Sequence, residues 1–175
     1  MKILNIKFLA VLLLVMLTSI KSFSQIAKAE IIATGLTCSM CSNAINKQLK
    51  SMTEVDSIST DLNTNTFTVH FKENSMVQPK VLKNAVEKAG FFVGSMVLNM
   101  KIDAEKVKDN LISIDGATFV FVDTKKPISD DLASYQVMDK GFITQKEYKK
   151  ISKSYSKYTT YSAENENNYH LKPIQ

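Results

Sequence analysis

The sequence predicts an α+β protein, and three observations carry that reading. Between Gln25 and Leu98, apolar residues recur with period two in some stretches and at three- and four-residue intervals in others. Clusters of Gly, Asn, Pro and Thr punctuate those stretches. The resulting order is strand, helix, strand, strand, helix, strand, followed by a segment patterned mainly as β.

The first strand spans Ala27 to Thr34, where Ile31, Ile32 and Ala33 suit a buried position. A loop with Gly35 follows, and a helix opens near Ser39. Its Ala44, Ile45, Leu49 and Met52 lie on one side, with Gln48 the polar exception. Val55 to Asp61 and Thr66 to Lys72 alternate around the turn residues Asn63-Thr64-Asn65, which makes a hairpin. Pro79 suits the first position of a second helix. There Leu82, Ala85, Val86 and Ala89 form the buried stripe and Gly90 supplies the stop. A last strand runs from Phe92 to about Met100. This order matches a ferredoxin-like βαββαβ sandwich, a four-stranded antiparallel sheet with two helices on one face.

The segment from Asp103 to Gln175 reads as a small β-rich domain of unknown role. Ala117 to Val122 and Leu132 to Asp139 are β-like, with a turn at Lys125, Lys126 and Pro127 between them. Thr144 followed by Glu147 forms a capping box that opens a short helix through Tyr148 and Ile151. Tyr155, Tyr158, Tyr161 and Tyr169 then lie among Ser, Thr and Asn, a pattern of either edge strands of a small barrel or sandwich or a partly ordered tail, of which we favour the strands. Val137 to Phe142 reads as a tight loop and His170 as a surface residue. His70 is out of phase with Phe67, Val69 and Phe71 and points away from them. Met96 and Met100 share a strand face and read as core.

Residues 1–24 read as a signal peptide. Lys2 and Lys7 precede an apolar run from Phe8 to Leu17 that is short for a bilayer, and Ser22 and Ser24 suit a cleavage site. The expected mature start is Gln25, with no membrane anchor after cleavage and the periplasm as the expected site of action. Loss of Lys2, Lys7 and Lys21 lowers the formal charge from +5 to +2, which is no nucleic-acid footprint. All 22 basic residues are lysines, so no guanidinium fork is available for phosphate or carboxylate. Lys80, Lys83 and Lys88 form a solvated helix face that could steer an acidic partner.

Cys38 and Cys41 are the two cysteines of the chain. With two residues between them, at a loop that enters a helix, they can converge on one ion or work as a redox dithiol. Unpaired N–H groups and the positive dipole end of a helix favour thiolates there. Two soft ligands in a near-linear array suit copper(I), silver(I) or mercury(II), whereas zinc(II) usually takes four ligands; copper(I) is the first expectation, with mercury(II) or zinc(II) as the alternatives. Thr37 precedes Cys38 where a carboxylate could have offered a harder ligand, and Glu54, Asp56 and Asp61 fall on the hairpin. Met40 lies between the thiols and reads as solvent- or partner-facing rather than as a ligand. Thiol–disulfide exchange would use the same pair. Against it stand the lack of Trp beside the thiols and an element order without parallel strands.

From Gly35-Leu36-Thr37-Cys38-Ser39-Met40-Cys41 onward the chain resembles the heavy-metal-associated domain family, the modules of copper chaperones, copper-pumping ATPases and periplasmic mercury-binding proteins. Ile45, Leu49, Met52 and Val55, then Asp61-Leu62-Asn63, and finally Lys88-Ala89-Gly90-Phe91 extend the resemblance over about residues 25–98. It implies Cys38 and Cys41 as metal ligands and Phe91 as the loop residue beside the metal. Leu36 stands where the family usually has Met and fills a similar volume. The partners implied are the metal ion and another metal-binding protein or membrane transporter. The expected function is capture or transfer of a soft ion by an exported protein that is not an enzyme, since ligand exchange needs no bond cleavage.

Overall fold

A computed structural model describes residues 25–36, 39–73, 75, 77–161 and 167–174. The expected signal peptide, Thr37 and Cys38 lie outside the described residues. Among the described residues, eight strands and three α-helices follow in order: β1 (Gln25–Thr34), α1 (Ser39–Lys50), β2 (Val55–Asp61), β3 (Thr66–Phe71), α2 (Pro79–Lys88), β4 (Phe92–Lys101), β5 (Leu111–Ile114), β6 (Ala117–Phe121), β7 (Leu132–Val137), α3 (Gln145–Tyr155) and β8 (Asn168–Pro173). No helix among the described residues is long and apolar enough to cross a membrane.

The first six elements form the expected βαββαβ unit. Its sheet runs β2-β3-β1-β4, with each pair antiparallel. Alternation puts Ala29, Ile31 and Ala33 of β1, Phe67 and Val69 of β3, and Met96, Leu98 and Met100 of β4 in the core. Ile45 and Leu49 of α1, with Leu82 and Val86 of α2, are fully buried in the same hydrophobic cluster. Pro79 opens α2, where its missing N–H costs nothing. In the β2–β3 turn Asp61 accepts from the Asn63 amide and the Thr64 hydroxyl, both at 2.9 Å. Those bonds hold its carboxyl below the usual range. Asp61 is thus a turn acceptor, and His70 is exposed as its phase implies.

The boundary expected between Leu98 and Asp103 does not interrupt the sheet. β7 pairs antiparallel with the outer edge of β4, from Val97 opposite Gln136 to Lys101 opposite Leu132. The full order is β2-β3-β1-β4-β7-β8-β6-β5. One cluster joins Ile31, Leu49 and Leu98 to Phe119, Tyr135, Val137 and Leu171. The ladder could cross because Tyr135 and Val137 alternate in phase with the core-facing residues of β4, so their apolar face continues the same layer.

Two features were not expected. β5 and β6 form a hairpin around Asp115 and Gly116, with φ of +48° and +73°, a two-residue turn in which both positions need positive φ. The end of the chain is no edge strand. β8 lies inside the sheet, antiparallel to β7 and parallel to β6, so both its edges are paired. Tyr169 and Leu171 enter the main core, whereas Val120, Val122, Met138 and Tyr155 form a second cluster.

A shared core predicts shared unfolding. Leu49→Ala and Leu171→Ala each remove a fully buried side chain and should each cost about 2–5 kcal/mol. Urea titration followed by circular dichroism should show both variants shifting one common transition. Two separate transitions, each sensitive to one variant, would contradict a single cooperative unit.

Candidate metal centre

β1 delivers the chain to the thiol loop, and local backbone chemistry fixes where that loop starts. The ladder between β1 and β4 shifts register between Ile32 and Ala33, leaving Gly94 as the extra residue between Val93 and Ser95. A Cβ on Gly94 would stand 2.5 Å from Thr34 Cγ2 and 3.4 Å from the Ile32 carbonyl oxygen, so this bulge requires glycine. Gly35 then turns the chain with φ of +89°. Beyond it lie Leu36, half-buried against the core, and α1.

Phe91 reaches the loop through the way α2 ends. Gly90, with φ of +90°, donates its N–H to the Glu87 carbonyl at 2.9 Å, and Phe91 donates to the Val86 carbonyl at 3.2 Å. This is a Schellman stop. It swings Phe91 across the sheet end, where its Cδ1 would lie 3.8 Å from a Cβ on Gly35. The residue expected beside the metal therefore abuts the start of the thiol loop.

Cys41 is half-buried in the first turn of α1, and Met40 beside it is 78% exposed. No acidic side chain occupies that first turn, whereas Lys47 and Lys50 lie in the last. The positive end of the helix dipole therefore faces the loop without a carboxylate to offset it. Of the expected site residues the structure places Cys41, Met40 and Phe91 at one end of the sheet. Thr37 and Cys38 lie outside the described residues. Among the described residues no three His, Cys, Asp or Glu side chains gather where they could hold an ion.

Fold and loop together define a βαββαβ module with a C-x-x-C pair at the first helix. Residues 30–92 match the model of the heavy-metal-associated domain, and the chain belongs to that family. No curated protein matches it. Among solved structures, the chain is similar to the yeast copper transporter domain Ccc2a in its apo and Cu(I)-loaded states, at 31% identity over 37% of this chain and 86% of that one, with a TM-score of 0.33. A copper binding domain from HMA7, a P-type ATPase, is 34% identical over 37% of this chain and 85% of its own, also with a TM-score of 0.33. The metallochaperone CopZ is 23% identical over 38% of this chain and 97% of its own, with a TM-score of 0.35.

A second polar centre escaped the sequence reading. His170, expected at the surface, is fully buried. Because Tyr169 and Leu171 face the main core, alternation turns His170 to the opposite face, under Tyr158 and Tyr161. Its Nδ1 lies 2.7 Å from Asp139 Oδ1, its backbone N–H donates to Asp139 Oδ2 at 2.6 Å, and its Nε2 lies 2.9 Å from Thr160 Oγ1. A carboxylate only accepts, so Nδ1 carries the proton of this contact. The Asp-Lys-Gly stretch, read as a tight loop, thus also supplies the partner of a buried imidazole. The sequence did hold a signal: apolar Tyr169 and Leu171 on either side of His170 are the alternation of a strand.

The tyrosines of the tail pack on the same side. Tyr155 donates to Asp123 Oδ2 at 2.6 Å, and Tyr161 donates to the Met138 carbonyl at 2.8 Å. Burial pushes both phenols well above their usual range, and the Asp123 carboxylate adds to the effect at Tyr155.

Asp139→Ala removes two bonds to a buried group and should lower stability by about 2–4 kcal/mol, measured by urea unfolding. The phenols give a pH prediction. A raised native pKa means the unfolded chain releases the proton first, so their contribution is complete below the ordinary phenol value of about 10 and fades as pH rises past it. Phenolate absorbance should show Tyr155 and Tyr161 ionising only together with unfolding, as the buried Tyr135 also should, and the Tyr155→Phe, Tyr161→Phe double variant should lower the amplitude of that late phase by two phenols.

Proposed function

We propose that this protein captures a soft metal ion, copper(I) before mercury(II) or zinc(II), between the thiolates of Cys38 and Cys41 and passes it on by ligand exchange. The observation that carries this reading is a C-x-x-C pair at the opening of α1 in a heavy-metal-associated domain. The half-buried position of Cys41 suits an anchoring ligand, whereas transfer asks that Cys38 be reachable. An incoming thiolate or thioether adds to the ion, a three-coordinate intermediate forms, and one original sulfur leaves. The metal keeps its oxidation state and no bond within the protein breaks, so the activity is transport and not catalysis.

The helix end supports thiolate ligands, since exposed N–H groups and the dipole favour negative charge there. A set of two sulfurs suits a monovalent soft ion better than a cation that wants four ligands. Phe91 beside Gly35 adds an apolar wall to the loop. The leader-like residues 1–24 support export, and an oxidising space outside the inner membrane would make the bound metal a protector of the dithiol.

Anaerobically reduced protein should take up one copper(I) per chain in competition with a chromogenic chelator, and the Cys38→Ser, Cys41→Ser double variant should take up none. Full uptake by the double variant refutes the assignment. Efficient reduction of insulin by the metal-free protein, with no copper(I) uptake, would show a thiol–disulfide exchanger instead.

A further inference from the structure

A groove of about 800 Å³ opens beside the thiol loop, between the start of β4 and α3. Phe92, Val93, Ile143 and Tyr148 give it an apolar lining, and Lys140 and Lys149 stand on its rim. Phe92 is 67% exposed and contributes its ring to that lining. Thr34, Glu87 and Phe92 come from the matched family segment and Val93 follows it directly in β4; the other wall belongs to the loop before α3 and to α3 itself. The appended half therefore builds a surface that the βαββαβ unit lacks.

The charge on that wall is one-sided. α3 carries Lys146, Lys149, Lys150 and Lys153 against a single acid, Glu147. Among the described residues neither these four lysines nor Lys140 makes an ion pair. Glu87, the acid in the groove lining, is already engaged by Lys83 at 3.2 Å. An apolar trough rimmed by unpaired cations fits an acidic chain that carries an apolar side chain. A second copy of this chain would bring its own basic α3, and a flat anionic membrane could reach the lysines but not the lining.

We propose that this groove docks an acidic peptide segment, with an aromatic or aliphatic anchor for the space beside Phe92 and Tyr148, on the protein that exchanges metal with the thiol loop. The exchange part rests on the function proposed above; the docking part rests on the groove alone. Thr34 and Phe92 adjoin Gly35 and Phe91, so a bound segment holds its parent protein next to the loop.

The test selects peptides from a displayed random library on the purified protein, with the Lys140→Glu, Lys149→Glu variant as the counter-target. Both lysines are exposed, and circular dichroism checks that the variant keeps its fold. Selected peptides should be acidic with an apolar anchor, bind at least about tenfold more weakly to the charge-reversed protein, and weaken again on Phe92→Ser and with added salt. No enrichment, enrichment of basic or uncharged peptides, or equal binding to both proteins overturns the proposal. So does tight binding to phosphatidylserine vesicles without peptide enrichment, which would make this face a membrane contact. The Cys38→Ser, Cys41→Ser variant separates the two readings: it should keep peptide binding. If the unmutated protein takes up no copper(I) yet binds the peptides, the metal assignment fails and the groove stands.

Discussion

Two-sided pairing of β4 is the constraint on which the rest of this structure depends. β4 hydrogen-bonds to β1 on one side and β7 on the other, while Met96, Leu98 and Met100 fill the layer beneath. A strand with both edges satisfied exposes no unpaired backbone row, so the chain is spared the edge that an isolated four-stranded unit would present there. It also cannot shift by one residue without turning its whole apolar set to the wrong face. The bulge at Gly94 pins that register at the loop end of the strand, where a side chain would collide with Thr34. Position of the thiol loop and attachment of the second half are thus set by the same strand.

The loop end of the sheet inherits its geometry from backbone rather than from side-chain bonds. Gly35 and Gly90 both sit at positive φ, one leaving β1 and the other ending α2. Each costs a larger side chain the left-handed penalty, and neither has a side chain to spend. Their combined effect brings Phe91 against the entry of the loop while leaving α1 free to start with an open first turn. The Asn65 carbonyl meets the Ala33 amide at 3.1 Å, tying the β2–β3 turn to the same end. Both flanks of the thiol loop are thus held by backbone geometry.

Much of the first half was legible because its signals are local. Periodicity gave the six elements of residues 25–101 to within a residue or two of the observed bounds, and Gly90 and Thr144 marked real stops and starts. Of the residues singled out for the site, Met40, Cys41 and Phe91 share one end of the sheet. What sequence reasoning missed is non-local. Nothing in Leu132 to Val137 alone says that its partner is β4 across some thirty residues, and nothing in Asn168 to Pro173 says that it inserts between β7 and β6. β5 is a different kind of miss, since Asp115-Gly116 between alternating residues was an available hairpin signal.

His170 shows how composition misleads where topology decides. Asn, Glu and Ser surround it in sequence, which suggests exposure; in the fold β8 is paired on both edges, and Tyr158 and Tyr161 cover the face that carries His170. Burial of an imidazole costs several kcal/mol unless its polar atoms find partners. Here both ring nitrogens do, and Asp139 also takes the backbone N–H. The contact ties the last strand to the loop between β7 and α3, and Tyr161 packs edge-on against the ring at 4.8 Å. That loop continues through Lys140 and Gly141 into the wall of the groove beside Phe92. The pin beneath and the surface above are therefore one mechanical unit. Residues remote from the thiols in sequence thus hold the wall of that groove in place.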